Sequence, residues 1–110
     1  MNNIWEKLMN AIKDVLAKKY RLDMDGTDER LAYLVYAAMM GEKGVRKSPN
    51  QLVKEAYELA PIDYWRKTRV SFSIFQRSIY RTLHRAFDGD QPIELDFFKA
   101  INAFIEQVKM

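Results

Sequence analysis

The sequence predicts a single all-α domain over residues 1–110, a compact bundle of five to six helices that contains a helix-turn-helix at about residues 61–87. Apolar residues recur at spacings of three and four in several long segments, whereas no segment alternates convincingly with period two. Ser-x-x-Gln sequences and prolines mark the starts of helices. The hydrophobic share of 48% over 110 residues suffices for one core, which would bury roughly two-thirds of the unfolded surface.

The first two helices follow from the apolar pattern. Residues 3–20 place their apolar side chains from Ile4 onward on one broad stripe, with charged residues outside it. The segment Leu22 to Thr27 interrupts this pattern as a turn with a helix cap. Residues 31–40 are apolar on every side. Such a pattern predicts a central helix that the other helices surround, and Gly41 marks its end.

Two further helices are predicted from a start signal and from apolar spacing. Ser48 to Gln51 forms a capping box with a proline at the first helical position, and it predicts a helix that continues to about Ala60. Near the end of the chain, apolar residues at helical spacing predict a last helix from about Leu95 to Lys109.

The helix-turn-helix is predicted between these two helices. Pro61 to Thr68 has the pattern of a short helix, and Arg69 to Phe72 that of a turn. A capping-box spacing from Ser73 to Gln76 predicts a longer helix over about residues 74–87. A short helix, a brief turn and a longer helix together form the outline of a helix-turn-helix.

The positive charge of the chain is concentrated in one segment. Residues 64–87 contain six Lys and Arg residues and no Asp or Glu. Of the 18 basic residues in the chain, the other 12 are outnumbered by 15 acidic ones. A solvated basic surface is the simpler interpretation of such a helix. The missing acids, the preceding basic cluster and the predicted turn favour a phosphate-binding surface instead.

Double-stranded DNA is therefore the predicted partner, with the helix at 74–87 in the major groove. We expect Arg77 to contact guanine and Gln76 to contact adenine. The predicted base contacts are Ser73, Gln76, Arg77, Tyr80 and Arg81, and the predicted backbone contacts are Arg66, Lys67, Arg69, Ser71, His84 and Arg85.

The segment from Ser73 to Phe87 resembles the recognition helix in the C-terminal DNA-binding domain of the sporulation initiation response regulator of Firmicutes. The matching residues are Ser73, Arg77, Ile79 and Ala86, with Phe75, Gln76, Leu83 and Phe87 similar in kind. The resemblance implies a stand-alone bacterial effector domain without a receiver, cytoplasmic and nucleoid-associated, that regulates transcription in sporulation or stationary phase. RNA polymerase or another protein is a candidate further partner, and a homodimer is a candidate form of the chain on DNA; the sequence does not reveal the oligomeric state.

An interaction with an acidic protein is the alternative. Ile74 and Tyr80 stand where this family has arginines, and Gln76 replaces a glutamate. These changes make the predicted reading face more apolar, as protein interfaces favour.

The composition argues against an enzyme, a cofactor or a metal site. The chain has no Cys, and His84 is its only histidine. No glycine-rich phosphate loop or nucleophile motif is present. No apolar run reaches the 18 residues of a membrane span, so we expect no membrane partner.

Overall fold

The structure, a computed structural model, describes residues 3–41, 47–60, 70–87 and 97–109. All regular structure in these ranges is α-helical, which confirms the predicted class. The helices are α1 (Asn3–Tyr20), α2 (Glu29–Met40), α3 (Pro49–Leu59), α4 (Phe72–Ala86) and α5 (Phe97–Lys109). The predicted short helix at 61–68 lies outside the described residues, so the helix-turn-helix remains a prediction. Within the described ranges, no helix has the length and apolar character needed to cross a membrane.

Helix α2 is the centre of the bundle, as its uninterrupted apolar sequence predicts. Its side chains from Arg30 to Ala37 are all buried. Each of the other four described helices packs against it. An apolar helix requires such cover on all sides because any side left open would expose hydrocarbon to water.

Helix α1 covers one side of α2 with a stripe centred on Met9, Ile12 and Leu16. The stripe is shorter than its sequence pattern predicts, because Ile4 is 75% exposed at the beginning of the helix. At the other end, Tyr20 joins α1 to the residue that follows α4 and to the middle of α5. The Tyr20 ring centroid lies 5.5 Å from that of Phe87 and 4.7 Å from that of Phe104.

Two serines begin the helices α3 and α4. Ser48 Oγ accepts from the Gln51 amide at 3.2 Å, and Gln51 Oε1 accepts from the Ser48 amide at 2.9 Å. This reciprocal pair confirms the predicted capping box of α3. The predicted start of α4 was wrong: its cap is Ser71, which accepts from the Ile74 amide, and not Ser73.

Packing against α3 explains the earlier start of α4. The Tyr57 hydroxyl donates to the carbonyl oxygen of Val70 at 2.6 Å. The Tyr57 ring also packs edge-on against Phe72 and Phe75, at 5.5 and 5.2 Å between centroids. These contacts fix the chain immediately before and after Ser71. They therefore decide between two serines that local sequence cannot separate.

Replacing Ser71 by alanine tests this assignment. Ser71→Ala is expected to lower the free energy of unfolding by about 1 kcal/mol, because the α4 amides lose their side-chain acceptor. Ser73→Ala is the matched control and is expected to change it by less than about 0.5 kcal/mol. Urea unfolding measures both values. A larger loss for the Ser73 variant would place the functional cap at Ser73 after all.

Candidate nucleic-acid interface

Helix α4 separates an apolar inner face from a basic outer face, as the sequence predicts. Phe75, Ile79 and Leu83 are buried in the core. The three arginines and the one histidine of the helix are exposed, namely Arg77, Arg81, His84 and Arg85. No acidic residue occurs anywhere in α4. The outer face of α4 is therefore a cationic surface, and Ile74 is its one large apolar side chain, 46% exposed.

The remaining three residues that were predicted to contact DNA bases lie beside this outer face or at its start. Ser73 is exposed in the first turn of α4. Gln76 is half-buried, and its Nε2 donates to Asn50 Oδ1 of α3 at 2.7 Å. Tyr80 is also half-buried, with its ring centroid 5.8 Å from that of Phe97. Burial raises the pKa of Tyr80 above its ordinary value, so this hydroxyl stays protonated at neutral pH.

The predicted backbone contacts fall into two groups. Ser71, His84 and Arg85 are exposed residues of the outer face of α4 or of its cap. Arg66, Lys67 and Arg69 lie outside the described residues, and their roles stay predictions. Within the described ranges, no group of His, Cys, Asp and Glu side chains is arranged to hold a metal ion.

A buried carboxylate attaches α4 to the start of α2. Asp28 is only 3% exposed. It accepts from the Asp23 amide at 2.9 Å and from Thr82 Oγ1 at 3.2 Å, and it forms an ion pair with Arg85. The Arg85 side chain remains 54% exposed. Asp28 thus fixes one end of the guanidinium while leaving part of it open to solvent.

The contact of Asp28 with Thr82 and Arg85 was not predicted from the sequence. A carboxylate at the end of a turn ordinarily caps the helix that follows, whereas Asp28 makes no side-chain cap bond to α2. The available signal was Thr82, which lies beside the apolar stripe of α4 and is buried. A buried hydroxyl needs a polar partner. Thr82 Oγ1 lies 2.9 Å from the Ser78 carbonyl oxygen of its own helix and 3.2 Å from Asp28 Oδ1, 54 residues away, so Thr82 indicates a polar partner without identifying Asp28.

Arg30 is the second residue that the sequence analysis missed. It belongs to the first turn of α2 and is only 4% exposed. Its side chain lines a cavity of about 180 Å³ between α2 and α4, together with Arg77, Arg81 and Arg85. The outer face of α4 therefore continues into a cleft that is lined by guanidinium groups from two helices.

The chain matches no protein-family model, and no curated protein or solved structure is significantly similar to it.

Removal of the buried charge tests the role of Asp28. Asp28→Asn is expected to lower the free energy of unfolding by about 2–3 kcal/mol, because Arg85 loses a charged acceptor and the new amide cannot satisfy every donor. Asp25→Asn is the matched control in the same turn. Its side chain is exposed, so we expect a change within about 0.5 kcal/mol. Equal urea midpoints for the two variants would contradict a structural role for Asp28.

Proposed function

We propose that this chain is a double-stranded DNA-binding transcriptional regulator in which α4 enters the major groove. One observation carries the proposal: the exposed face of α4 holds three arginines and a histidine, and the helix contains no acid. Arginines on a phosphate backbone release condensed counterions, which drives binding. An α-helix about 10–12 Å across also matches the width of the major groove, about 12 Å.

In the proposed complex Arg77 forms a bidentate contact with guanine, because its exposed guanidinium lies near the beginning of the helix. Gln76 pairs with adenine only after its amide exchanges Asn50 for the base. Arg81, His84 and Arg85 contact phosphates along the same face. Arg85 is well suited to this role because Asp28 already restrains its guanidinium.

The resemblance to the sporulation initiation regulators supports the finer assignment. On this basis we propose that residues 61–87 form a helix-turn-helix and that the chain acts on transcription in sporulation or stationary phase. RNA polymerase is then a natural second partner, and two copies of the chain would bind one operator.

A pool of random-sequence duplexes tests DNA binding directly. We expect binding that weakens as salt rises from about 50 to 150 mM, because the release of condensed counterions from the DNA gains less entropy at a higher bulk salt concentration. Sequencing the duplexes retained at the higher salt is expected to yield a consensus. If binding vanishes there and no sequence is enriched, the chain is not a sequence-specific regulator.

Arg77 is the residue on which base reading depends in this proposal. Arg77→Gln is expected to cost about 1–3 kcal/mol on the preferred duplex and to relax the preference at one base pair. The control, Lys54→Gln, removes the same charge from an exposed position on α3 and is expected to leave the preference unchanged. Fluorescence anisotropy on preferred and randomised duplexes measures both. An Arg77 variant with the preference of the parent would assign base reading to another residue.

An acidic protein is the second candidate partner, and exposed Ile74 favours it. A 46% exposed isoleucine among arginines resembles the apolar centre of a protein interface with a charged rim. The test is competition between a duplex and an acidic helical peptide for the wild-type chain. The protein partner would be favoured if the Ile74→Ser variant binds the peptide more weakly than the wild-type chain does but binds the duplex with unchanged affinity.

A further inference from the structure

The cleft between α2 and α4 differs from an ordinary solvated basic surface in its shape and depth. Its volume is about 180 Å³. Four arginines line it, and among its described lining residues none is acidic. One of these arginines, Arg30, is almost fully buried. A buried positive charge interacts with an anion more strongly than an exposed one, because less water screens it.

The donors around the cleft come from separate elements. Arg30 belongs to α2, Thr27 to the turn before it, and Arg77, Ser78 and Arg81 to α4. Guanidinium groups present paired N–H donors that match the oxygens of a phosphate, and hydroxyl groups can donate to the remaining oxygens. A tetrahedral anion accepts hydrogen bonds from several directions, which a planar carboxylate does less well.

The arginines of the cleft differ in how the described residues neutralise them. Asp28 pairs with Arg85 from outside the lining. Arg77 and Arg81 form no ion pair with any carboxylate of the described residues. These two arginines lie four residues apart and repel each other on the helix surface. An anion between them removes this repulsion.

We propose that this cleft is a specific binding site for one phosphate group. The group can belong to a free phosphate or phosphate monoester, or to the backbone of a nucleic acid. The inference does not depend on duplex binding, because inorganic phosphate by itself tests it.

The experiment is an NMR titration of the chain with inorganic phosphate, at an ionic strength kept constant with sodium chloride. We expect saturable binding of one phosphate, with the largest amide shifts at Thr27, Arg30 and Ser78. Arg81→Gln is expected to weaken the affinity about tenfold or more, because one charge-assisted contact is lost. Ser78→Glu is expected to abolish binding, since its carboxylate would occupy the cleft.

Lys54→Gln is the matched control because it changes the net charge by the same single unit as either variant. It is expected to bind phosphate as the parent does. The proposal would be overturned if the amide chemical shifts do not saturate with phosphate, or if Ser78→Glu and Lys54→Gln weaken the phosphate affinity equally. Arg81, Ser78 and Lys54 are at least partly exposed, so these variants are expected to fold.

A short duplex added to the phosphate-bound chain distinguishes the two sources of the group. Displacement of the phosphate identifies the cleft as a backbone site, and retention identifies it as a site for free phosphate or a monoester. A chain that binds phosphate but no duplex would refute the proposed DNA function alone. The phosphate site alone would be refuted if the chain binds duplex but no phosphate and if Ser78→Glu and Lys54→Gln have the same affinity for the duplex.

Discussion

The buried carboxylate of Asp28 determines how α4 sits on the rest of the bundle. Apolar packing of Phe75, Ile79 and Leu83 turns one face of α4 towards the core, but hydrocarbon contacts are not directional. Hydrogen bonds are directional. Asp28 accepts a hydrogen bond from Thr82 and forms an ion pair with Arg85. Because both partners belong to α4, this contact fixes the position of the helix along its own axis.

That position is what places arginines from two helices around one cleft. Asp28 immediately precedes α2, and Arg30 lies in its first turn. Burying a carboxylate is costly unless donors surround it. Here two of the donors that satisfy Asp28, Thr82 and Arg85, belong to α4 and hold this helix beside the start of α2.

Local sequence patterns predicted most helices but not how they meet. Periodicity identified α1 and α2, and the capping box at Ser48 identified the start of α3, because these signals lie within a few residues of one another. The start of α4 was misplaced because Ser71 and Ser73 are equivalent locally, and the Tyr57 bond to Val70 decides between them. Asp28 was missed for the same reason, since its partners Thr82 and Arg85 lie 54 and 57 residues away. The place of Arg30 in the cleft was missed because the α4 residues that line the cleft with it are also distant in sequence.

The outer face of α4 differs from the other described surfaces in its ion pairs. Elsewhere in the described ranges, lysines pair with nearby acids, as in Lys13–Glu29, Lys18–Asp14 and Lys47–Glu55. Arg77 and Arg81 instead form no ion pair with any carboxylate of the described residues. They lie four residues apart on α4, where two like charges cost about 0.2–0.5 kcal/mol. Core packing needs none of these charges, because the opposite face of α4 supplies the buried contacts. Uncompensated repulsion beside a cleft with a buried arginine is therefore better explained by an anion from outside the chain than by the stability of the fold.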